Sequence, residues 1–149
     1  MLTLLLALQI FHVAFLLLHD WIPLGSLNAP AAVRSENPSG KLLIGTLLST
    51  LPFAIALACS LHFQHLGYPH WLFHFLWIAY LLFFIGELQA WWIPYLRGAK
   101  SERVDRYEKM FGSTHALLPA RNGIRINTLH LILHASTLAL LITLASLTF

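Results

Sequence analysis

The segment NTLHLILHASTLALL, residues 127–141, carries two histidines four positions apart in a stretch that is otherwise apolar. On an α-helix, His130 and His134 share one face with Asn127 and Thr137, because these residues recur at steps of three and four. Imidazoles at this spacing are used by helical zinc sites, and they also exchange protons near neutral pH. The stripe predicts a site for metal binding or acid–base chemistry.

A carboxylate and further polar groups fall at the same depth in other apolar stretches. Glu87 is the only acidic residue inside such a stretch, and it needs a proton, a cation or a metal there. Counted at about 1.5 Å per residue from the charged end of each stretch, Glu87, His12, Ser49, Thr50 and His134 all lie roughly 12–14 Å deep. These groups are therefore expected to meet in one polar layer inside a helical bundle.

A second polar layer is expected closer to the charged loops, where His130, His19 and Asp20 lie about one or two turns away from the first layer. Tyr80, Glu87 and Trp91 fall near one helix face at steps of seven and four. The predicted site has three partly overlapping groups of residues. They are Glu87, His134 and His12 as catalytic groups; His19, Asp20, Tyr80, Trp91 and Asn127 around a cofactor or substrate; and His130, His134, Glu87, His12 and His19 as metal ligands.

Two metal chemistries fit these residue types. The mixture of imidazoles and one carboxylate suits zinc or non-haem iron, although HLILH lacks the glutamate of the HExxH metalloprotease motif. Haem b is the second choice, held by His12 with His134 or by His19 with His130, and it would make the chain an electron-transfer protein. Haem ligation leaves Glu87 without a role, so zinc or non-haem iron is preferred.

Three hypotheses about the function need no metal. Glu87 and the histidines could carry out acid–base chemistry on a small lipophilic substrate, such as a sterol-like or isoprenoid molecule that enters from the bilayer. They could instead belong to a small proton- or cation-coupled transporter subunit, which would need a homo-oligomer to enclose a path. A structural network of interhelical hydrogen bonds, each worth about 1–2 kcal/mol, is the remaining alternative.

The elements that position these residues are predicted from composition and hydropathy. The chain is 58% hydrophobic and 10% charged, with a mean hydropathy of +0.70, which is typical of an integral membrane protein. We predict a single all-α domain, residues 1–149, built as an antiparallel bundle of four transmembrane helices. The spans are residues 2–19, 42–61, 71–96 and 126–148, joined by charged loops at 20–41 and 97–125 and a short turn.

The basic residues predict the orientation of the bundle. All nine lie in loops 20–41 and 97–125, so the positive-inside rule places both loops in the cytoplasm and both termini outside it, as in a bacterial-type inner membrane. SERVDRYEKMFG before the fourth span predicts a short amphipathic helix, interpreted as a connector that rests on membrane lipids. Pro94 is expected to kink or unwind the third span. Nucleic-acid binding is excluded, because the net charge is only +3 and is explained by the cytoplasmic loops.

A separate group of histidines surrounds the short turn. His62, His65, His70 and His74 lie within thirteen residues and could bind a divalent metal. No acidic residue accompanies them, so we interpret them as imidazoles at the level of the lipid headgroups. The single cysteine, Cys59, excludes an intramolecular disulfide.

Overall fold

The apolar stretches of the sequence form the long helices of the structure. The computed structural model describes all 149 residues, and its regular structure is helical, with one isolated bridge between Arg121 and Ile124 and no strand. In chain order the elements are α1 (Leu2–Leu18), a 3₁₀ turn (Gly25–Leu27), α2 (Pro30–Glu36), α3 (Ser39–Phe63), α4 (His70–Glu87), a π-helical segment (Leu88–Trp92), α5 (Ile93–Arg97), α6 (Ser101–Phe111) and α7 (Thr128–Thr148).

Three helical stretches are long and apolar enough to cross a membrane: Ser39–Phe63, the continuous helix His70–Arg97, and Thr128–Thr148. The first predicted span forms α1, which is apolar but has only 17 residues. A spanning helix needs about 20 residues, within a range of about 17–25. The all-helical class and three of the apolar spans are thus confirmed.

The long helices pack in a cyclic order, in which α1 and α4 each contact both α3 and α7. Between them lies an apolar core whose fully buried members include Leu5, Leu72 and Leu140. The outward faces are also apolar, as at Leu48 and Ile142, which are 66% and 62% exposed. Aliphatic residues exposed along whole helix faces fit a lipid environment, because in water they would form an aggregation-prone patch.

The two charged loops fold together over one end of the helices. The first loop contains α2, a helix that was not predicted from the sequence. Helix α2 packs against α6. Arg106 of α6 donates to Asn37 Oδ1 at 2.6 Å, and the His115 backbone N–H donates to Ser26 O at 2.7 Å. The amphipathic helix is therefore present, but Met110 on its apolar face is buried against protein. The interpretation of α6 as a connector resting on lipid was wrong for this face.

A tight turn fixes the approach to α7. Asn122 and Gly123 both have positive φ angles, of 52° and 74°, and Arg121 and Ile124 exchange backbone hydrogen bonds across them. A Cβ on Gly123 would lie 2.5 Å from a methyl group of Val104, so glycine is required here both by backbone angle and by space. The turn thereby holds the start of α7 against α6.

Candidate functional site: a polar cavity among three helices

A cavity of about 290 Å³ lies among α1, the end of α4 with its π-helical segment, and α7. Most of its wall is apolar or aromatic, with four ionisable side chains among the lining residues. The lining is Phe15, Leu16, His19, Leu82, Phe83, Gly86, Glu87, Ala90, Trp91, His130, Leu133 and His134. Five of the predicted site residues therefore meet in one place, namely His19, Glu87, Trp91, His130 and His134.

Glu87 has one occupied and one free carboxylate oxygen. The side chain is on the last turn of α4 and is 5% exposed. Its Oε1 atom lies 2.8 Å from Thr137 Oγ1 on α7, whereas Oε2 is buried and has no hydrogen-bond partner. Most buried polar atoms are paired, so an unpaired carboxylate oxygen beside a cavity indicates a place for a ligand atom.

His134 presents a hydrogen-bond donor to the protein interior. The indole N–H of Trp92 is only a donor, and it lies 3.1 Å from His134 Nδ1. Nδ1 must therefore accept, so the proton of the neutral ring is on Nε2. That Nε2 atom is buried and has no partner. Glu87 and His134 thus line the same cavity, as the sequence predicts, and they offer complementary groups to a ligand.

His130 has the opposite tautomer. Asn127 caps α7, and its Oδ1 accepts from the His130 backbone N–H at 2.9 Å, which identifies this atom as the oxygen. The same oxygen lies 2.8 Å from His130 Nδ1, so Nδ1 carries the ring proton and Nε2 has a free lone pair. Rings of Trp91 and Phe111 enclose His130, with centroids at 4.3 and 5.4 Å. Asn127 acts on the cavity through His130 and does not line it.

His19 lines the edge of the cavity and contacts the Asp20 carboxyl, which is not among the lining residues. His19 Nδ1 donates to Phe15 O at 2.8 Å, and its Nε2 lies 3.3 Å from Asp20 Oδ1. Burial raises the pKa of the Asp20 carboxyl above its usual value of 3.8, and the His19 imidazole opposes this shift. Both residues also line a separate recess of about 240 Å³ that contains Lys41 and Ser49.

His12 and Tyr80 lie behind the cavity wall. His12 is fully buried, and its Nε2 is 2.9 Å from Thr137 Oγ1, the hydroxyl that also contacts Glu87. The Tyr80 ring packs edge-on against His12 with a centroid distance of 5.5 Å. Neither His12 nor Tyr80 is among the lining residues, so the predicted contact of Tyr80 with a ligand is not seen in this cavity.

The π-helical segment Leu88–Trp92 results from a proline. Pro94 has no backbone N–H, so Ala90 O loses its usual helical donor. Two side chains of α6 replace it: Tyr107 Oη donates at 2.7 Å and Arg103 Nη2 at 3.0 Å. The predicted disturbance of this span is thus present as a π bulge, and α6 satisfies the carbonyl that the bulge exposes.

The bulge orients two adjacent tryptophans. Trp91 lines the cavity and is 7% exposed, while Trp92 donates to His134. In a regular α-helix, neighbouring side chains point about 100° apart and a wider turn changes that angle. Pro94 and its partners on α6 therefore position both groups that enclose His134.

The predicted metal ligands do not converge. No group of three or more His, Cys, Asp or Glu side chains has a geometry that could hold a metal ion. His12 uses both ring nitrogens, with Nδ1 at 2.6 Å from Leu8 O and Nε2 on Thr137, so ligation by His12 would break these bonds. Zinc, non-haem iron and haem b remain predictions without support from these contacts.

Three of the long helices, α1, α4 and α7, contribute side chains to the polar layer. On α3, the hydroxyls of Ser49 and Thr50 both donate to Thr46 O of their own helix, and Ser49 is exposed. No hydrogen bond joins them to the Glu87–Thr137–His12 chain. The similar distance of Ser49 and Thr50 from the charged loops therefore did not predict whether they bond to this chain.

The turn histidines, His62, His65, His70 and His74, are all exposed. None has a side-chain hydrogen bond, and no three of them lie close enough together to hold a metal ion. At the opposite end, Asn28 Nδ2 donates to His19 O at 2.6 Å and so ties the first charged loop to the end of α1.

The sequence placed Thr137 on the polar stripe of the fourth span, but it did not predict that this hydroxyl joins Glu87 to His12. It also did not predict the hydrogen bonds of Trp92, Arg103 and Tyr107 that organise the site. For Arg103 and Tyr107, Pro94 is a signal that a carbonyl needs an outside donor, but the sequence does not show which side chains supply it.

No protein-family model, curated protein or solved structure matches this chain.

Proposed function

We propose that the cavity binds a small lipophilic molecule that carries a hydroxyl or carbonyl group, and that Glu87 and His134 perform acid–base chemistry on it. One observation supports this function above all. Glu87 Oε2 and His134 Nε2 are both buried and unpartnered, and both residues line the same 290 Å³ cavity. Leaving two such groups unpaired costs about 1–3 kcal/mol each, which a ligand can recover.

The tautomers define the polar part of the ligand. His134 Nε2–H donates to a carbonyl or hydroxyl oxygen, and Glu87 Oε2 accepts from a hydroxyl or takes up its proton. The remaining wall, with Phe15, Phe83 and Trp91, suits an apolar body. A sterol-like or isoprenoid alcohol or ketone has both parts, which makes this the substrate class we favour.

Access from the bilayer is part of the proposal. Leu82 and Gly86 line the cavity and are also exposed on the outer surface of α4. A side chain at Gly86 would meet no atom within 4 Å, so the wall is open beside it. A lipophilic molecule can enter sideways at this point without crossing water.

The membrane arrangement that we propose has four antiparallel spans, including α1, with loops 20–41 and 97–125 in the cytoplasm. The cyclic packing of α1, α3, α4 and α7 supports it, and so do the hydrogen bonds that join the two basic loops at one end. Cysteines introduced at Ser113 and Leu66 in a Cys59→Ala background should react from opposite sides of sealed vesicles. Labelling from the same side would contradict the arrangement.

The binding test uses an isoprenoid alcohol and its hydrocarbon analogue. Farnesol and farnesene are titrated into the protein in lipid nanodiscs, and tryptophan fluorescence is followed because Trp91 lines the cavity. We expect farnesol to bind about tenfold more tightly than farnesene, since one added hydrogen bond to a charged or buried group is worth about 1.5 kcal/mol. Glu87→Gln should reduce this preference, because a neutral amide accepts a weaker hydrogen bond than a carboxylate does.

Glu102→Gln is the matched control, because Glu102 is an exposed acid on α6 outside this cavity. It should retain the preference for farnesol. Equal binding of the alcohol and the hydrocarbon by the wild-type protein, or an unchanged preference in Glu87→Gln, would overturn the proposed function.

A further inference from the structure

The hydroxyl of Thr137 bridges the cavity carboxylate and a histidine that does not touch the cavity. Thr137 Oγ1 lies 2.8 Å from Glu87 Oε1 and 2.9 Å from His12 Nε2, and all three side chains are buried. The helices involved are α4, α7 and α1. The contact chain therefore crosses the interior from the cavity wall to a site beyond it.

The hydrogen bonds impose a proton count. His12 Nδ1 lies 2.6 Å from Leu8 O, a pure acceptor, so Nδ1 carries a proton and neutral His12 has a lone pair on Nε2. Two contacts to Thr137 need two hydrogens, and its hydroxyl supplies only one. At least one further proton must therefore be on Glu87 Oε1 or on His12 Nε2.

Two arrangements of this proton satisfy the same heavy-atom geometry. In the neutral form, Glu87 Oε1–H donates to Thr137, which donates to His12 Nε2. In the charged form, protonated His12 Nε2–H donates to Thr137, which donates to the Glu87 carboxylate. Thr137 Oγ1 also lies 3.0 Å from Leu133 O, which gives the hydroxyl a further acceptor while it reorients.

We propose that Glu87, Thr137 and His12 form a proton relay that serves the cavity, with His12 as its internal proton store. This inference depends on the proposed function, since it says where the proton exchanged with the ligand goes. Glu87 takes a proton from the ligand at Oε2 while its Oε1–H bond breaks. The proton released from Oε1 binds Thr137 Oγ1, and the proton that Thr137 carried before moves to His12 Nε2. The reverse sequence returns one proton to the ligand.

The surroundings of His12 suit a store that is closed to water. Its ring packs against Tyr80 and Phe83 at centroid distances of 5.5 and 5.9 Å, and it is fully buried. No other titratable side chain hydrogen-bonds to it, and Thr137 is its one side-chain hydrogen-bond partner. Protons should therefore reach His12 through Thr137.

The relay can be tested without any ligand. Protein with ¹⁵N-labelled histidine is placed in lipid nanodiscs, and its pH titration is followed by NMR of His12 Nε2 and by the infrared carbonyl band of Glu87. Glu87→Gln and His12→Gln assign the two signals. In the wild-type protein we expect both signals to change at the same apparent pKa values, because the protons of a coupled pair come off in steps that belong to the pair.

Thr137→Val removes the carrier and keeps the shape of the side chain. The two titrations should then separate by about one pH unit or more and lose their common transition. Thr137→Ser should restore it. Thr143→Val is the matched control, because Thr143 is also buried on α7 and its hydroxyl donates only to Ala139 O of its own helix.

The outcomes separate the two proposals. Independent titration in the wild-type protein, or a coupled transition that survives in Thr137→Val, overturns the relay. If Thr137→Val does not fold, Thr137→Ala, which also lacks the hydroxyl, decides by the same loss of the common transition. Thr143→Val, which changes neither the relay nor the cavity lining, should bind farnesol as the wild type does. Failure of the farnesol preference with an intact coupled titration would overturn the cavity function alone.

Discussion

Histidines lie at both ends of the long helices, enclosed by aromatic rings at one end and exposed at the other. At the cavity end, which carries loops 20–41 and 97–125, His130 and His134 are enclosed by aromatic rings and each has a partner that determines its tautomer. At the turn end, residues 62–74, four histidines are exposed and their side chains make no hydrogen bond. The difference shows that a histidine cluster in the sequence indicates a site only where other elements cover it.

The cover at the cavity end consists of two folded loops. Helix α6 packs Tyr107 and Phe111 on Trp91, with ring centroids at 4.9 and 5.0 Å, and α6 also packs against α2. The connection at the turn end is too short for such a cover. Burial, and with it directional hydrogen bonding to a ligand, is therefore possible at only one end.

The largest effect is expected from replacing equivalent histidines at the two ends. His134→Phe removes the Nε2–H donor and leaves the indole N–H of Trp92 without its acceptor, so farnesol affinity should fall about tenfold or more. His74→Phe changes an exposed residue at the turn end and should leave the affinity unchanged. The comparison fails if both variants bind farnesol as the wild type does, as measured by tryptophan fluorescence in nanodiscs.

A smaller effect is expected from weakening the contact between α6 and the backbone carbonyl of Ala90. Tyr107→Phe removes one of the two side-chain donors to Ala90 O and should cost about 0.5–1.5 kcal/mol of stability, measured by denaturant unfolding in micelles. Pro94→Ala supplies a backbone N–H for the same carbonyl, so the loss should be smaller in that background.

Tyr68→Phe serves as the control at the turn end, where a hydroxyl also donates to a backbone carbonyl, Ser60 O, at 3.2 Å. This variant should lose less stability, and Pro94→Ala should not change its effect. Equal losses from Tyr107→Phe with and without Pro94 would mean that the bulge does not depend on α6.

The smallest effect concerns pH. The folded-state pKa of Asp20 is raised by burial, so the folded protein binds this proton more readily than the unfolded chain does. The carboxyl therefore reduces stability as pH rises from its usual pKa of 3.8 through the folded value. Asp20→Asn should melt at a higher temperature than the wild type near neutral pH, and the difference should vanish below about pH 3.8.

Asp105→Asn, an exposed change on α6, should show no such pH-dependent gain. Should Asp20→Asn melt below the wild type at neutral pH, the ion pair with His19 outweighs the cost of burial, and the cavity end is more tolerant of charge than we infer.

Much of the site could be predicted because helical periodicity and depth are local properties. The steps of three and four along residues 127–137 placed His130 and His134 on one face, and counting placed Glu87 level with His134. Counting did not predict the partners of Ser49 and Thr50, because Ser49 is exposed and the buried Thr50 hydroxyl donates to Thr46 O of its own helix. Tyr80 was expected beside a ligand, but it packs on His12 because α1 approaches it there.

The loops were least predictable for the same reason. SERVDRYEKMFG has a clear apolar face, yet the sequence could not say whether lipid or protein covers it. The answer depends on α2, whose last residue, Glu36, precedes Arg103 and Tyr107 by 67 and 71 positions. It also depends on Pro94, which precedes them by 9 and 13 positions.

By itself, the sequence determined the helical class, the apolar stretches and the set of ionisable groups inside them, because each depends on composition or on spacing within one helix. Only the tertiary structure decided which of these groups share a cavity, which tautomer each histidine has, and that Thr137 joins Glu87 to His12. Those facts depend on donors and acceptors from different helices, up to 125 positions apart along the chain. The position and direction of such atoms follow from packing, which no local pattern contains.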